Sequence, residues 1–183
     1  VNGVNFQPDF VWVKGRSGAT DHALYDSVRG TTKDLVSNAT SAETTQATGL
    51  TAFGSTGFTV GALAKMNTSA ATYVGWQWKA GGTAVSNTAG SITSSVSANV
   101  SAGFSVVTYA GTGANATVGH GLGVAPKMMI VKGRASAGSW AVYHSNANAS
   151  PAACRLYLQL TNAFTAQATA WNSTVPSSTV FSI

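Results

Sequence analysis

Apolar and polar residues change places in short runs along most of this chain, and the runs have the length of strands. Phe10-Val11-Trp12-Val13-Lys14 follows Pro8 as a near-continuous apolar run, and Met128-Met129-Ile130-Val131-Lys132 follows Pro126 in the same way. Such runs predict strands covered on both faces. Each ends in Lys-Gly-Arg, where glycine permits a turn or bulge. His22 to Asp26 and Trp140 to His144 alternate, as does Thr72 to Lys79, where Val74, Trp76 and Trp78 oppose Tyr73, Gly75 and Gln77. Alternation predicts half-buried strands. Gly54-Ser55-Thr56-Gly57 reads as a turn into Phe58-Thr59-Val60, and Gly103 to Tyr109 and Leu156 to Leu160 as further strands. Within the Ser/Thr/Ala-rich stretch 83–102, Ile92, Val96 and Val100 predict one exposed strand. The single helix expected is a short one within 39–50, capped by Thr40 or Ser41 with Glu43 in its first turn. Short strands separated by Gly, Ser and Asn turns predict an all-β sandwich.

The pattern is stated twice. PDFVWVKGRSGATDHALYDS (Pro8 to Ser27) returns as PKMMIVKGRASAGSWAVYHS (Pro126 to Ser145), about 118 residues later, with nine of twenty positions identical. Leu35, Gln46-Ala47-Thr48 and Phe58 then match Leu156, Gln167-Ala168-Thr169 and Phe181. Two related β-sandwich units of jelly-roll or lectin-like type are predicted: 1–82 and 103–183, joined by a connector over 83–102. The second copy is preceded by a strand-like run, Gly103 to Tyr109, that the first lacks at its front. The first is followed by Ala71 to Trp78, which the second lacks at its end. The chain therefore reads as a piece of a longer protein, with missing edge strands supplied by flanking sequence or by a neighbouring subunit. A repeat with a polar surface is the usual mark of a scaffold or binding unit.

Charge changes the picture little. Only 8% of residues are charged, so Ser, Thr, Asn, Gln and Gly must cover the surface, and salt-bridge networks are not expected to supply stability. All five acids precede residue 44, while the remaining stretch carries six Lys or Arg. The net charge of +5 is spread singly, without the basic cluster or motif of a nucleic-acid binder. No apolar run is long enough to span a bilayer as a helix. The single cysteine, Cys154, excludes an intrachain disulfide and reads as a small buried hydrophobe.

Candidate chemistry is thin. Asp21 and Asp26 are the only acid pair of interest for glycoside hydrolysis, which needs two carboxylates about 5 to 9 Å apart. Five residues apart on a strand they face opposite ways, and the second copy has Ser139 and His144 in their places. His22, His120 and His144 lack metal-ligand spacing and read as surface or interface groups. No calcium-loop pattern surrounds the two aspartates. Gly119-His120-Gly121-Leu122-Gly123 matches neither dinucleotide nor phosphate fingerprints and reads as a loop, like Asn2-Gly3-Val4-Asn5. No nucleophile elbow is present. These residues predict no catalytic group, no metal and no cofactor. Aromatics remain, and Trp76, Trp78, Trp140 and Tyr143 are the candidates for stacking on a sugar.

Together, PDFVWVKGRSGATDHALYDSVRGTTKDLVSNAT, GFTVG, TYVGWQWKAGG, AVSNTAGSITSSVSAN, GFSVVTYAGTGANATVGHGLGVAPKMMIVKGR and WAVYHS resemble a family of marine bacteriophage structural proteins. These include the tail-fibre-like proteins of phages of cyanobacteria, often joined to concanavalin A-type lectin modules. The resemblance spans the whole chain and brings no catalytic residues with it. Members of that family continue past the position of Ile183 with another Tyr-rich strand. They often carry a Cys between aromatics where this chain has Trp76-Gln77-Trp78. The resemblance implies a non-enzymatic virion protein on a tail appendage, with other virion proteins as partners. It also implies a homo-oligomer (a trimer by analogy) and a host-surface glycan as ligand. The alternatives are a capsid decoration protein, and a polysaccharide-degrading or carbohydrate-binding module.

Overall fold

A computed structural model describes residues 1–183 apart from Asn2 and Ala168. Those two positions of the glycine turn and of the repeated Gln-Ala-Thr triplet thus lie outside the described residues. In the first half the strands are β1 (Phe10–Gly15), β2 (Ala23–Asp26), β3 (Lys33–Asp34), β4 (Thr44–Thr45), β5 (Leu50–Gly54), β6 (Gly57–Val60) and β7 (Tyr73–Trp78), with one short helix, α1 (Ala64–Asn67). β1 lies between β2 and β7, antiparallel to both. An antiparallel bridge from Leu24 to Leu35 extends the pairing toward β3, which pairs with β4. The pleat sends Val11 and Val13 into a core with Ala23, Tyr25, Leu50, Phe58 and Met66. The opposite face of β1 carries Phe10 and Trp12, both half-buried.

The second half comprises β8 (Val85–Asn87), β9 (Ser94–Asn99), β10 (Phe104–Tyr109), β11 (Thr117–Gly119), β12 (Met128–Val131), β13 (Ala141–His144), β14 (Cys154–Tyr157), β15 (Thr165–Ala166) and β16 (Val180–Ser182). β9 is flanked by β8 and β10, β11 pairs with β16, and β12 to β15 form one sheet in sequence order. Both halves are thus built from small antiparallel sheets around apolar clusters, a β-sandwich-like arrangement.

Several positions aligned by the sequence echo are paired alike. Val11 opposes Tyr25 as Met129 opposes Tyr143. Leu24 bridges Leu35 as Val142 pairs with Leu156. Asp34 opposes Thr44 as Arg155 opposes Thr165. Val1 and Phe58 exchange both main-chain hydrogen bonds, at 2.8 and 3.0 Å, while Phe181 lies opposite Val118, one residue before the position aligned with Val1. Among the described residues β5 and β7 have no such counterpart, and β16 pairs with β11 where β6 pairs with β5. Among the described residues, β12 is bonded only to β13.

Several local expectations are corrected. The stretch 83–102 is not a connector with one exposed strand. It forms β8 and β9, with Ile92 and Val96 buried and Val85 and Val100 left in solvent. Buried serines account for the difference: Ser94 Oγ donates to Gly119 O and Ser97 Oγ to Gly82 O, so a polar sequence packs inside. No helix forms within 39–50. Thr44 and Thr45 pair with β3 instead, since no apolar stripe there favours a helix. β12 is not covered on both faces either, because Met128 and Ile130 are 51% and 40% exposed. Gly15 makes no turn. It continues β1 opposite Tyr73, and a Cβ there would fall 2.3 Å from Thr20 Oγ1.

The halves meet through a cluster of Leu24, Leu35 and Trp140, edged by Phe10, Trp12 and Leu158. The Trp140 indole donates to Val36 O and Ala39 O, at 3.0 and 3.1 Å. Glu43 accepts from Arg29 of its own half and takes both Nε and Nη2 of Arg134 from the other. Arg29 also bonds the buried Asp26, and Lys65 bonds the buried Asp34. Asp26, Arg29 and Asp34 thus have their charges paired largely out of solvent, whereas Arg16, Asp21, Lys79 and Lys127 lie exposed.

Candidate functional site

The alternation of β7 turns Trp76 and Trp78 to the outer face of the sheet, where they are 45% and 37% exposed. Register then sets Trp76 opposite Trp12 and Trp78 opposite Phe10. The Trp12 and Trp76 rings meet edge to face at 6.1 Å, and Phe10 lies 5.3 Å from Trp78. Phe104, at the start of β10, stacks on Trp78 at 6.1 Å with the planes 21° apart. Five aromatic side chains from three strands thus make one continuous surface. Rings packed against one another lose little further freedom on binding, which favours contact with a flat apolar ligand face.

The buried end of this surface is fixed by a hydrogen bond. Trp12 Nε1 donates to His22 Nδ1 at 2.7 Å, which requires that ring nitrogen to be unprotonated. Burial lowers the His22 pKa, nearby Lys14 lowers it further, and Asp21 opposes both. The neutral imidazole is the form that holds the Trp12 ring in place.

The chain leaving β7 after Trp78 helps to line an open polar cleft of about 520 Å³, with residues including Gln7, Lys79, Gly81 and Asn99. Its one carboxylate, Asp9, is buried and engaged. It accepts from Ala80 N at 2.8 Å, Ser27 Oγ at 2.9 Å and Gln7 Nε2 at 3.2 Å. Asp9 therefore shapes the turn after β7 rather than facing a ligand.

Of the four predicted stacking residues, the structure brings together Trp76 and Trp78 and removes the other two. Trp140 is 4% and Tyr143 3% exposed. Trp140 fills the contact between the halves, and Tyr143 packs edge to face on Trp171 at 5.9 Å. Both are core residues, since any ligand reaching them would have to displace that packing. The sequence pattern overlooked Phe10 and Phe104 as site residues. Their signal was the apolar run of β1 and the position of Phe104 opening a strand.

The acids are placed just as firmly. Asp26 is buried against Arg29, and exposed Asp21 accepts from Asn38 Nδ2 at 2.8 Å. His120 is not a surface group. It is 2% exposed, its Nδ1 accepts from Leu122 N, its Nε2 lies 3.2 Å from Ser177 O, and burial lowers its pKa. His144 is exposed and its Nδ1 accepts from Asn146 N. Cys154 is buried and free. Among the described residues, no three His, Cys, Asp or Glu side chains are grouped to hold a metal ion. No helix among them is long and apolar enough to cross a membrane.

Fold and surface together define an all-β protein with one exposed aromatic face. The chain belongs to the family described as Domain of unknown function (DUF7483), whose profile matches residues 1–183. Neither a curated protein nor a solved structure matches it.

Proposed function

We propose that this chain is a non-enzymatic structural module of a phage virion, carried on a tail appendage, and that the face of Trp76 and Trp78 binds a host-surface glycan. The virion assignment rests on the resemblance in sequence. The observation that carries the binding role is the pair of exposed indoles on β7, braced from behind by Trp12, Phe10 and Phe104. Sugars present flat patches of C–H bonds to such rings, and the adjoining cleft offers Gln7, Lys79 and Asn99 to hydroxyl groups. Asp26 is buried in an ion pair and exposed Asp21 is bonded to Asn38, an arrangement that fits a binding role better than glycoside cleavage.

The test is saturable binding to host envelope polysaccharide, measured for the native chain and for Trp76→Ala and Trp78→Ala. Each substitution should weaken binding by about tenfold, equivalent to about 1.4 kcal/mol, with the far-ultraviolet circular dichroism unchanged. Binding that survives both substitutions would place the glycan elsewhere. Release of oligosaccharide would make the chain a depolymerase. Immunogold labelling confined to the phage head, with no glycan bound, would favour a capsid decoration protein.

A further inference from the structure

The two halves differ most sharply at one sheet edge. In the first, β1 carries β2 on one side and β7 on the other. In the second, β12 carries β13 in the register that β1 keeps with β2, and among the described residues nothing bonds its other side. The main chain of β12 is already aligned for a partner there. Ser27 N donates to Asp9 O, and Ser145 N donates to Lys127 O at the aligned position. Arg16 N donates to Thr72 O on the β7 side. Antiparallel ladders alternate, so Phe10, Trp12 and Lys14 present their main-chain groups to β7. Met128, Ile130 and Lys132 present theirs to the vacant side.

The side chains agree with the main chain. Phe10 and Trp12 are covered by Trp78 and Trp76. At the matching positions Met128 and Ile130 are exposed apolar groups. Residues 128–131 include no charge, proline or bulge, so short β12 is guarded only by Lys127 and Lys132 at its ends.

We propose that the outer edge of β12 is a strand-binding site, and that its occupant is an extended segment with the chemistry of β7, supplied by a partner chain. The segment lies antiparallel, a tryptophan opposite Met128 and another opposite Ile130, as Trp78 and Trp76 lie opposite Phe10 and Trp12. Aromatic rings over Met128 would add sulfur–aromatic contact to the main-chain bonds. The site is separate from the glycan-binding face and does not depend on it.

The probe is a labelled synthetic peptide of the sequence Thr72–Lys79, added to the full chain and followed by fluorescence anisotropy and amide hydrogen exchange. Saturable one-to-one binding is expected, with slowed exchange at Met128, Ile130 and Lys132 and no change at Phe10 or Trp12. Two N-methylated peptides sharpen the test. By the β1–β7 register, the Trp76 amide points at the receiving strand and the Gln77 amide points away. Methylation at Trp76 should weaken binding at least about tenfold, whereas methylation at Gln77 should leave it within a factor of about two. No saturable binding would overturn the proposal. So would binding that leaves β12 amides unprotected, equal loss with both methylated peptides, or β12 amides already protected by self-association of the chain without peptide.

Discussion

Asp34 is 1% exposed and forms an ion pair with Lys65, reaching from α1. The Tyr25 hydroxyl is buried beside this carboxylate, and burial raises the pKa of both groups. For Asp34 this happens despite the lowering effect of Lys65. The folded chain thus binds this proton more tightly than the unfolded chain does. Through this group, stability declines as pH rises from the ordinary value of 3.8 through the raised one. Lys65→Met removes the counter-ion and leaves a buried carboxylate alone. The variant should lose about 3–5 kcal/mol at neutral pH, measured by urea unfolding. The loss should shrink on acidification, as protonation makes the counter-ion unnecessary. Adding Asp34→Asn should restore most of the stability at neutral pH. A loss that is independent of pH would mean that the Lys65 stem, rather than its charge, supports α1.

At the scale of elements, β9 shows what burial does to a sequence that reads as a linker. Val96 is 2% exposed and lies opposite both Val85 and Val107, whereas Val100, four residues on, is 61% exposed. Val96→Ala should therefore cost about 2 kcal/mol in thermal or urea unfolding, and Val100→Ala no more than about 0.5 kcal/mol. Equal effects would return 83–102 to the role of a connector. Strands with large apolar residues were legible in the sequence: β1, β2, β7, β12 and β13 fall on the runs that predict them, whereas β14 ends at Tyr157, two residues into the run Leu156 to Leu160, which closes in a turn. β9 was not legible, because its inward positions include Ser94 and Ser97, which are soluble until their hydroxyls find Gly119 O and Gly82 O. The site was half legible for a similar reason. Alternation gives the face of a strand but not what covers that face. Trp76 on β7 and Trp140 just before β13 look equally available until the loop carrying Val36 and Ala39 closes over Trp140.

Over the whole molecule, that closure is what makes one body of two similar halves. Leu24 and Leu35 from the first pack on Trp140 and Leu158 from the second. Around them Glu43 is shared by Arg29 and Arg134, and Gly138 N donates to Thr40 O at 2.8 Å. Burial opposes the Glu43 charge, but bonds from Arg134 and Arg29 outweigh it and lower its pKa. Each half otherwise keeps its own apolar cluster, Val11 with Tyr25 and Phe58 in one, Val118 with Phe181 in the other. Stability is cooperative only as far as a contact ties two such clusters together. The native chain should therefore unfold in a single calorimetric transition. Trp140→Ala empties the centre of the contact and removes the donor to Val36 O and Ala39 O. Truncations of this kind cost about 3–5 kcal/mol. The variant should show two transitions, with amides of β12 to β14 exchanging before those of β1 and β2. Trp140→Phe, which keeps the ring and loses only the N–H, should shift the single transition by about 1–2 kcal/mol without splitting it. Two transitions in the native chain would mean that the halves fold independently and that the shared cluster is only a surface of contact. A single transition in Trp140→Ala would mean that the remaining contacts, the ion pairs of Glu43 and the stacking of Phe104 on Trp78, suffice to couple them.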